Sequence, residues 1–343
     1  MSSGSCRKVP GCPHLRPCRL GAVELFRGST QKGADWQRTA RENNAGYAAF
    51  EKACAKPMNT KLLILILNGL TQAAIFFVLG SGLTLAFGLM RVINLSHGAF
   101  YLLGGYIGYS VVRATGNWPL ALVVGGLSIA LFGFLFERTM LFRVRGGDLP
   151  ETLLTVALSM IIADVSLAIW GGHPLTLNVP SYLNPRVTIF GITYPGFRYI
   201  LMGISVLIAV SLWLVLYKTK LGAAVRAGVD DRETASALGV NIDRIYSLVF
   251  ALSALLVGLA GVLGGSYLQL SPGGDTTILT YSLVIVILGG MGSLLGTVVS
   301  SLILGQLLSF GLAYAPQYSY FLMFVPMAIV LAIRPQGLFG REV

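Results

Sequence analysis

Between residues 276 and 333 the chain runs for 58 residues without one charged side chain. Wound as helix, that stretch is roughly 87 Å long, close to three crossings of a ~30 Å hydrocarbon core. Two clusters of breakers divide it, Gly289-Gly290-Met291-Gly292 and Ala315-Pro316-Gln317. Spans are therefore expected near 277–290, 293–313 and 319–333. Uncharged runs recur at 62–90, 92–112, 114–136, 199–217 and 245–268, and the run 152–170 is interrupted only by Asp164. Charged types make up 11% of the chain, against roughly 25% in a soluble domain. Too few charges remain to cover a water-facing surface. The expected fold is an all-α polytopic membrane protein with about 8–9 transmembrane helices.

Residues 1–57 have another composition. They hold 10 of the 25 basic residues, 4 of the 14 acidic ones and all four cysteines. No apolar periodicity gives them a core, and no apolar stretch follows the basic start as a signal peptide requires. The set Cys6, Cys12, His14 and Cys18 lacks zinc-site spacing, so no metal is expected. Met58-Asn-Thr-Lys, directly before an apolar run, reads as a natural beginning. Residues 1–57 are accordingly expected to be a disordered leader or to precede a misassigned start, with 58–343 as the transmembrane domain.

Lys and Arg in the connecting segments set the orientation. Lys218, Lys220, Arg226, Arg232 and Arg244 place one loop in the cytoplasm. Arg138, Arg143 and Arg145 place a second there, and Arg334 and Arg341 put the C-terminus inside. The proline-bearing loop 171–198 then falls outside. Counting back puts the start of the first span outside, at odds with a basic leader.

Four features exceed generic membrane helix. Arg91-Val-Ile-Asn94-Leu-Ser96-His97-Gly98 sets polar side chains within a run of membrane depth. It reads either as an unwound segment lining a translocation route or as a turn between two spans. Gly222 through Asn241 contains a short helix that Asp230 can cap, with Asp231 and Glu233 in its first turn and Gly239 as its stop. Arg232, Ala235 and Leu238 would lie on that helix. It is a solvated connector or a knob for another protein, and spacing alone does not decide which. Gly289, Gly290, Gly292 and Gly296 read as a tight turn or hinge. Asp164 is a lone acid inside a span, and such acids are costly and often functional.

Catalytic constellations are missing from the sequence. There is no H-E-x-x-H, no G-x-S-x-G, no phosphate loop and no cysteine beyond residue 54. An enzyme is not expected, and neither is a cofactor or a nucleic-acid partner.

The segment Asn68-Gly-Leu-Thr…Gly88-Leu-Met-Arg-Val-Ile-Asn94-Leu-Ser96-His97-Gly98-Ala-Phe-Tyr-Leu-Leu-Gly104-Gly-Tyr resembles the opening of LivH-type permeases of branched-chain amino-acid ABC importers. Gly222 through Asn241 with Asp243-Arg244 is similar to that family's ATPase-coupling loop. Leu288-Gly-Gly-Met-Gly-Ser…Gly296 and Arg334-Pro-Gln-Gly-Leu-Phe-Gly340-Arg are similar to its late motifs. The resemblance spans about residues 60–341. It implies an inner-membrane permease subunit working with a second homologous permease, two cytoplasmic ATPases and a periplasmic substrate-binding protein. ATP would be used by the partners alone. Residues 231–238 would form the coupling helix, and Asn94, Ser96 and His97 would border the translocation route. A permease of the same family for urea, amides or another small solute is the alternative, and a stand-alone ion-coupled carrier is the reading from a different class.

Overall fold

The structure is a computed structural model that describes residues 58–90, 94–189, 192–230 and 232–340. The expected leader, with all four cysteines, and Asp231 lie outside the described residues.

Hydrocarbon leaves no backbone polar group a partner other than the chain itself, so each uncharged run becomes a helix. In order these are α1 (Met58–Met90), α2 (His97–Thr115), α3 (Trp118–Phe136), α4 (Asp148–Trp170), α5 (Gly196–Lys218), α6 (Lys220–Asp230), α7 (Arg232–Ala237), α8 (Ile242–Tyr267), α9 (Gly274–Gly289), α10 (Leu294–Tyr314) and α11 (Ser319–Ile333). Among the described residues, seven helices are long and apolar enough to cross a membrane. The remaining two of the nine expected spans are α2, with 19 residues, and α9, with 16. The chain is a multi-pass, all-α membrane protein. Among the described residues the one sheet is two-stranded and lies between α4 and α5, with β1 (Arg186–Ile189) paired antiparallel with β2 (Ile192–Pro195).

Polar residues at the breaks cap the helices, as their short side chains favour. The Asn117 side chain accepts from Leu120 N (3.3 Å), Asn241 from Arg244 N (3.1 Å) and Ser293 from Gly296 N (3.1 Å). At the end of α3 the ladder widens into one π-type turn, Glu137–Leu141.

The core is α8 packed between α2 and α3. Small residues let the backbones approach in the absence of a hydrophobic driving force between helices. A Cβ on Gly104 would stand 2.8 Å from Gly258 Cα, and one on Gly133 would stand 2.6 Å from Ala254 Cβ. Phe100 meets Phe132 and Phe250 edge-on, with centroids 5.8 and 6.3 Å apart. In α4 the buried residues Glu151, Thr155, Leu158, Ile162 and Ser166 recur at helical spacing, one stripe turned to the bundle. Large faces of α4, α5 and α11 stay apolar and exposed, including Met160, Ile161, Leu207, Phe321 and Ile333.

Candidate functional site

The polar cluster after α1 is neither a solvated turn nor a span end. His97 Nε2 lies 3.0 Å from the Leu79 carbonyl, to which it donates. Leu79 precedes Met90 by 11 residues, roughly 16 Å of helix, so His97 stands about half-way across a ~30 Å core. The first residue of α2 thus lies alongside the middle of α1. Asn94 makes that turn: its Oδ1 accepts from Ser96 N (3.0 Å) and Ser96 Oγ (2.6 Å). Leu95 N donates to Thr155 Oγ1 of α4 (3.3 Å). Asn94, Ser96 and His97 are all buried, and His97 Nδ1 has no partner. The structure therefore shows an irregular segment held against protein at membrane depth, the only setting in which lipid tolerates one.

A second helix also starts inside the core. Gly274 precedes Gly289 by 15 residues, about 22 Å, so α9 falls short of a full crossing. Its first turn lies against the first turn of α2. A Cβ on Gly98 would come 2.8 Å from the Asp275 carbonyl carbon and 3.2 Å from Leu279 Cβ. Gly98 is the contact that lets two helix N-termini meet. Beside them lies a cavity of about 10 Å³, lined by Ala99, Tyr106, Ser166 and Asp275 among others. That is the size of one water molecule, and Tyr106 Oη and Ser166 Oγ, both buried, have no partner there.

The described residues between α5 and α8 form two short helices. Thr219 breaks α5 from α6, and its Oγ1 accepts from Gly222 N (3.2 Å). The short α7 ends where expected. Gly239 has φ +87°, Gly239 N donates to Ser236 O (3.0 Å) and Val240 N to Ala235 O (3.1 Å). This is a Schellman stop. Two residues later Asn241 caps α8, so α7 and α8 share a link with no slack. Ala235 is buried against the bundle, whereas Leu238 is 80% exposed at the tip. Asp230 closes α6 rather than opening α7, and Arg232 and Glu233 lie in the first turn of α7.

An ionic cluster beside this link escaped the sequence reading. Glu137, fully buried, pairs with Arg145, whose other Nη is 2.8 Å from Asp243 Oδ1 in the first turn of α8. Ser247 Oγ donates to Glu137 Oε2. The Arg145 guanidinium lies over the Tyr246 ring at 4.5 Å and the Phe142 ring at 5.3 Å. The available signal was an acid and an arginine eight residues apart at a helix end; Glu137 counted only as a span boundary and Arg145 only as a topogenic charge.

The glycine motif is the turn between α9 and α10. Gly290 (φ +97°) and Gly292 (φ +80°) take a conformation that L side chains avoid. Gly289 and Gly296 touch through their backbones. The C-terminal segment folds onto this turn, with Leu338 N donating to Leu288 O (3.0 Å) and Phe339 N to Gly289 O (3.1 Å). The two late motifs are thus one packed unit. Asp164 joins none of these groups. It is exposed, off the buried stripe of α4 and flanked by exposed Met160, Ile161 and Val165. No group of three or more metal-ligating side chains occurs among the described residues.

Similarity to known proteins identifies the family. The family described as "Branched-chain amino acid transport system / permease component" matches residues 65–331. The high-affinity branched-chain amino acid transport system permease protein BraD of Pseudomonas aeruginosa is 25% identical over 291 residues, covering 80% of this chain and 95% of the relative. The permease protein LivH of the corresponding system in Escherichia coli strain K12 is 27% identical over 292 residues, covering 80% and 94%. The fructose import permease protein FrcC of Rhizobium meliloti also matches, at 29% identity over 279 residues, covering 77% and 76%. The chain belongs to the family of permease components of branched-chain amino acid transport systems.

Proposed function

We propose that this chain is the membrane-spanning permease subunit of an ATP-driven importer that carries branched-chain or related hydrophobic amino acids across the inner membrane. The observation that carries the reading is the family match over residues 65–331. The permease works beside a second, homologous permease, two cytoplasmic ATPases and a periplasmic substrate-binding protein, and ATP is spent by the partners. With Arg145, Lys218, Arg226 and Arg244 in the cytoplasm, the α6–α7 loop and the C-terminus lie inside and the β1–β2 hairpin outside. The short α7, with its exposed Leu238, is the ATPase-facing element. Closure of the ATPases displaces α7, and the capped link passes that displacement into α8. Asn94, Ser96 and His97 border the route at the point where α2 and α9 begin. The exposed faces of α4, α5 and α11, Asp164 included, are those that lipid and the second permease cover; a carboxylate facing hydrocarbon alone would be costly.

A sugar substrate is the second reading, because the fructose permease also matches. The test is uptake by cells expressing the chain with its neighbouring transport genes. Labelled leucine, isoleucine and valine are expected to accumulate and to ignore excess fructose or ribose. Competition by sugar favours the second reading. Uphill accumulation by the chain reconstituted alone, under a proton or sodium gradient, defeats both. Asp231→Lys is expected to release the ATPases from the purified complex while membrane insertion persists.

A further inference from the structure

The hairpin between α4 and α5 delivers an arginine into the bundle. In its register Val187 faces Tyr194 and Arg186 faces Pro195. Tyr194 is buried, and Gly196 N closes the entry to α5 by donating to Pro185 O at 2.8 Å. One turn after Tyr194 comes Arg198. Its guanidinium lies over the rings of Tyr194 at 5.0 Å and Tyr267 at 5.1 Å. Nη1 donates to Tyr194 Oη (3.1 Å) and to Asn68 Oδ1, and Tyr194 Oη donates to the same oxygen (3.0 Å). Every partner is neutral. Among the described residues no carboxylate lies within ion-pair distance of Arg198; both ion pairs belong to Arg145.

Asn68 and Tyr267, which hold this arginine, also line a cavity of about 270 Å³. Gln72 lines it as well, 94% buried and with Nε2 unpartnered. The aliphatic part of the wall is Leu65, Leu308 and Leu312. The volume lies just below the range of drug-sized sites, which suits one small solute. The cavity opens at the end of the bundle away from α6 and α7, where α1 and α5 begin and α8 and α10 end.

An arginine at membrane level without an anion is costly, and its planar fork matches a carboxylate. We infer that this cavity is a binding site for a branched aliphatic amino acid, with the carboxylate on Asn68 and Gln72 at the wall that Arg198 backs through Asn68 and Tyr267, and the alkyl chain against Leu65, Leu308 and Leu312. The inference deepens the proposed function and rests on its assignment of an amino-acid substrate. The site acts in the permease itself, in addition to whatever selection the binding protein makes.

The experiment uses thiol protection. The full chain, with Cys6, Cys12, Cys18 and Cys54 changed to serine, carries Leu312→Cys, which places the only thiol on the cavity wall. Labelling by a membrane-impermeant thiosulfonate is followed in membranes containing the assembled transporter. Leucine and 4-methylpentanoate, which keeps the carboxylate and the alkyl chain, are expected to slow labelling. 3-Methylbutylamine, which keeps the alkyl chain and lacks the carboxylate, is expected to leave it unchanged. Arg198→Gln should raise the half-protecting concentration about tenfold or more, as loss of the charge-assisted hydrogen bond to Asn68 implies. Arg198→Lys, which keeps the charge without the fork, should fall between. Protection by the amine equal to that by the acid overturns the inference, as does protection insensitive to Arg198→Gln. Should Arg198→Gln fail to insert, the acid-against-amine comparison in the parent protein decides alone. Leucine uptake without protection refutes the site and leaves the function standing. Protection by 4-methylpentanoate without any leucine uptake refutes the function and leaves a carboxylate site.

Discussion

Glu137 and Asp243 hold the same arginine, yet removing them should have very different effects. The Glu137 side chain is completely buried, Arg145 is 7% exposed and Asp243 is 51% exposed. Removing Glu137 leaves the buried guanidinium with the half-solvated Asp243 as its carboxylate partner and leaves Ser247 Oγ only the Asp243 carbonyl (3.2 Å). Breaking a buried pair from one side costs about 3–5 kcal/mol, whereas an exposed pair contributes about 0–1 kcal/mol. At about 2–4 °C per kcal/mol for a large domain, Glu137→Ala should lower the thermal midpoint of the purified protein by roughly 6–20 °C. By the same conversion, Asp243→Ala should lower it by no more than ~4 °C. The double variant Glu137→Gln with Arg145→Met should regain most of the loss, because the desolvation penalty leaves with the charges. Fluorescence-detected size exclusion after heating reads all four proteins. Equal losses for Glu137→Ala and Asp243→Ala, or no recovery in the double variant, would refute the view that this cluster is a buried pair with an exposed outrigger.

Gly98→Ala forces a methyl onto the Asp275 carbonyl and should cost about 1–3 kcal/mol, while Gly203→Ala in α5, which meets nothing within 4 Å, should be neutral or gain about 0.5–1 kcal/mol; matching thermal shifts for the two would count against the α2–α9 contact. Gly239→Ala places an L residue at φ +87° at about 1–2 kcal/mol, and Asn241→Ala removes a cap at about 1 kcal/mol. Together they should speed amide exchange over 235–245, and unchanged protection there would mean the link is not rigid. Leu238→Glu replaces an exposed side chain and should shift stability by less than about 0.5 kcal/mol, yet it should weaken ATPase co-purification; retention at the parental level argues against α7 as the docking element.

The nine apolar runs were legible as helices because lipid imposes one rule that hydropathy reports directly, and seven of those helices are long enough to cross. The runs between charges match the helices to within a few residues, and Gly239, Gly116 and Gly290 mark ends by backbone geometry that sequence encodes locally. The mid-depth starts of α2 and α9 were not legible. A run of uncharged residues has the same composition whether it crosses fully or turns back, and Asn94-Leu-Ser96-His97 fits a turn in water as well as one in protein. What separates them is the Leu79 carbonyl 18 residues upstream and Thr155 60 residues downstream, contacts no local pattern contains. Glu137, Arg145 and Ser247 were missed for the same reason. The direction of Asp164 was not legible either: it is set by the stripe Glu151, Thr155, Leu158, Ile162 and Ser166, and that stripe turns it outward.

The arrangement ties α8 to the ionic cluster, to the buried turn before α2 and to Arg198. Its first turn carries Asp243, bound through Arg145 to the end of α3, and begins two residues after the stop of α7. At mid-depth Ser253 Oγ donates to the Gly82 carbonyl (2.7 Å), and a Cβ on Gly82 would stand 3.1 Å from His97 Cε1. Farther along, Gly258 and Gly261 accept the backbone of α2, and Tyr267 at the far end supports Arg198. Close-packed contacts of this kind do not compress, so the proposed displacement of α7 would pass through α8 to the start of α2 without a soft joint in which to dissipate. The long helix therefore joins the short α7 at one end, the buried turn before α2 in the middle and Arg198 at the other, and the glycines along it hold its neighbours in close contact.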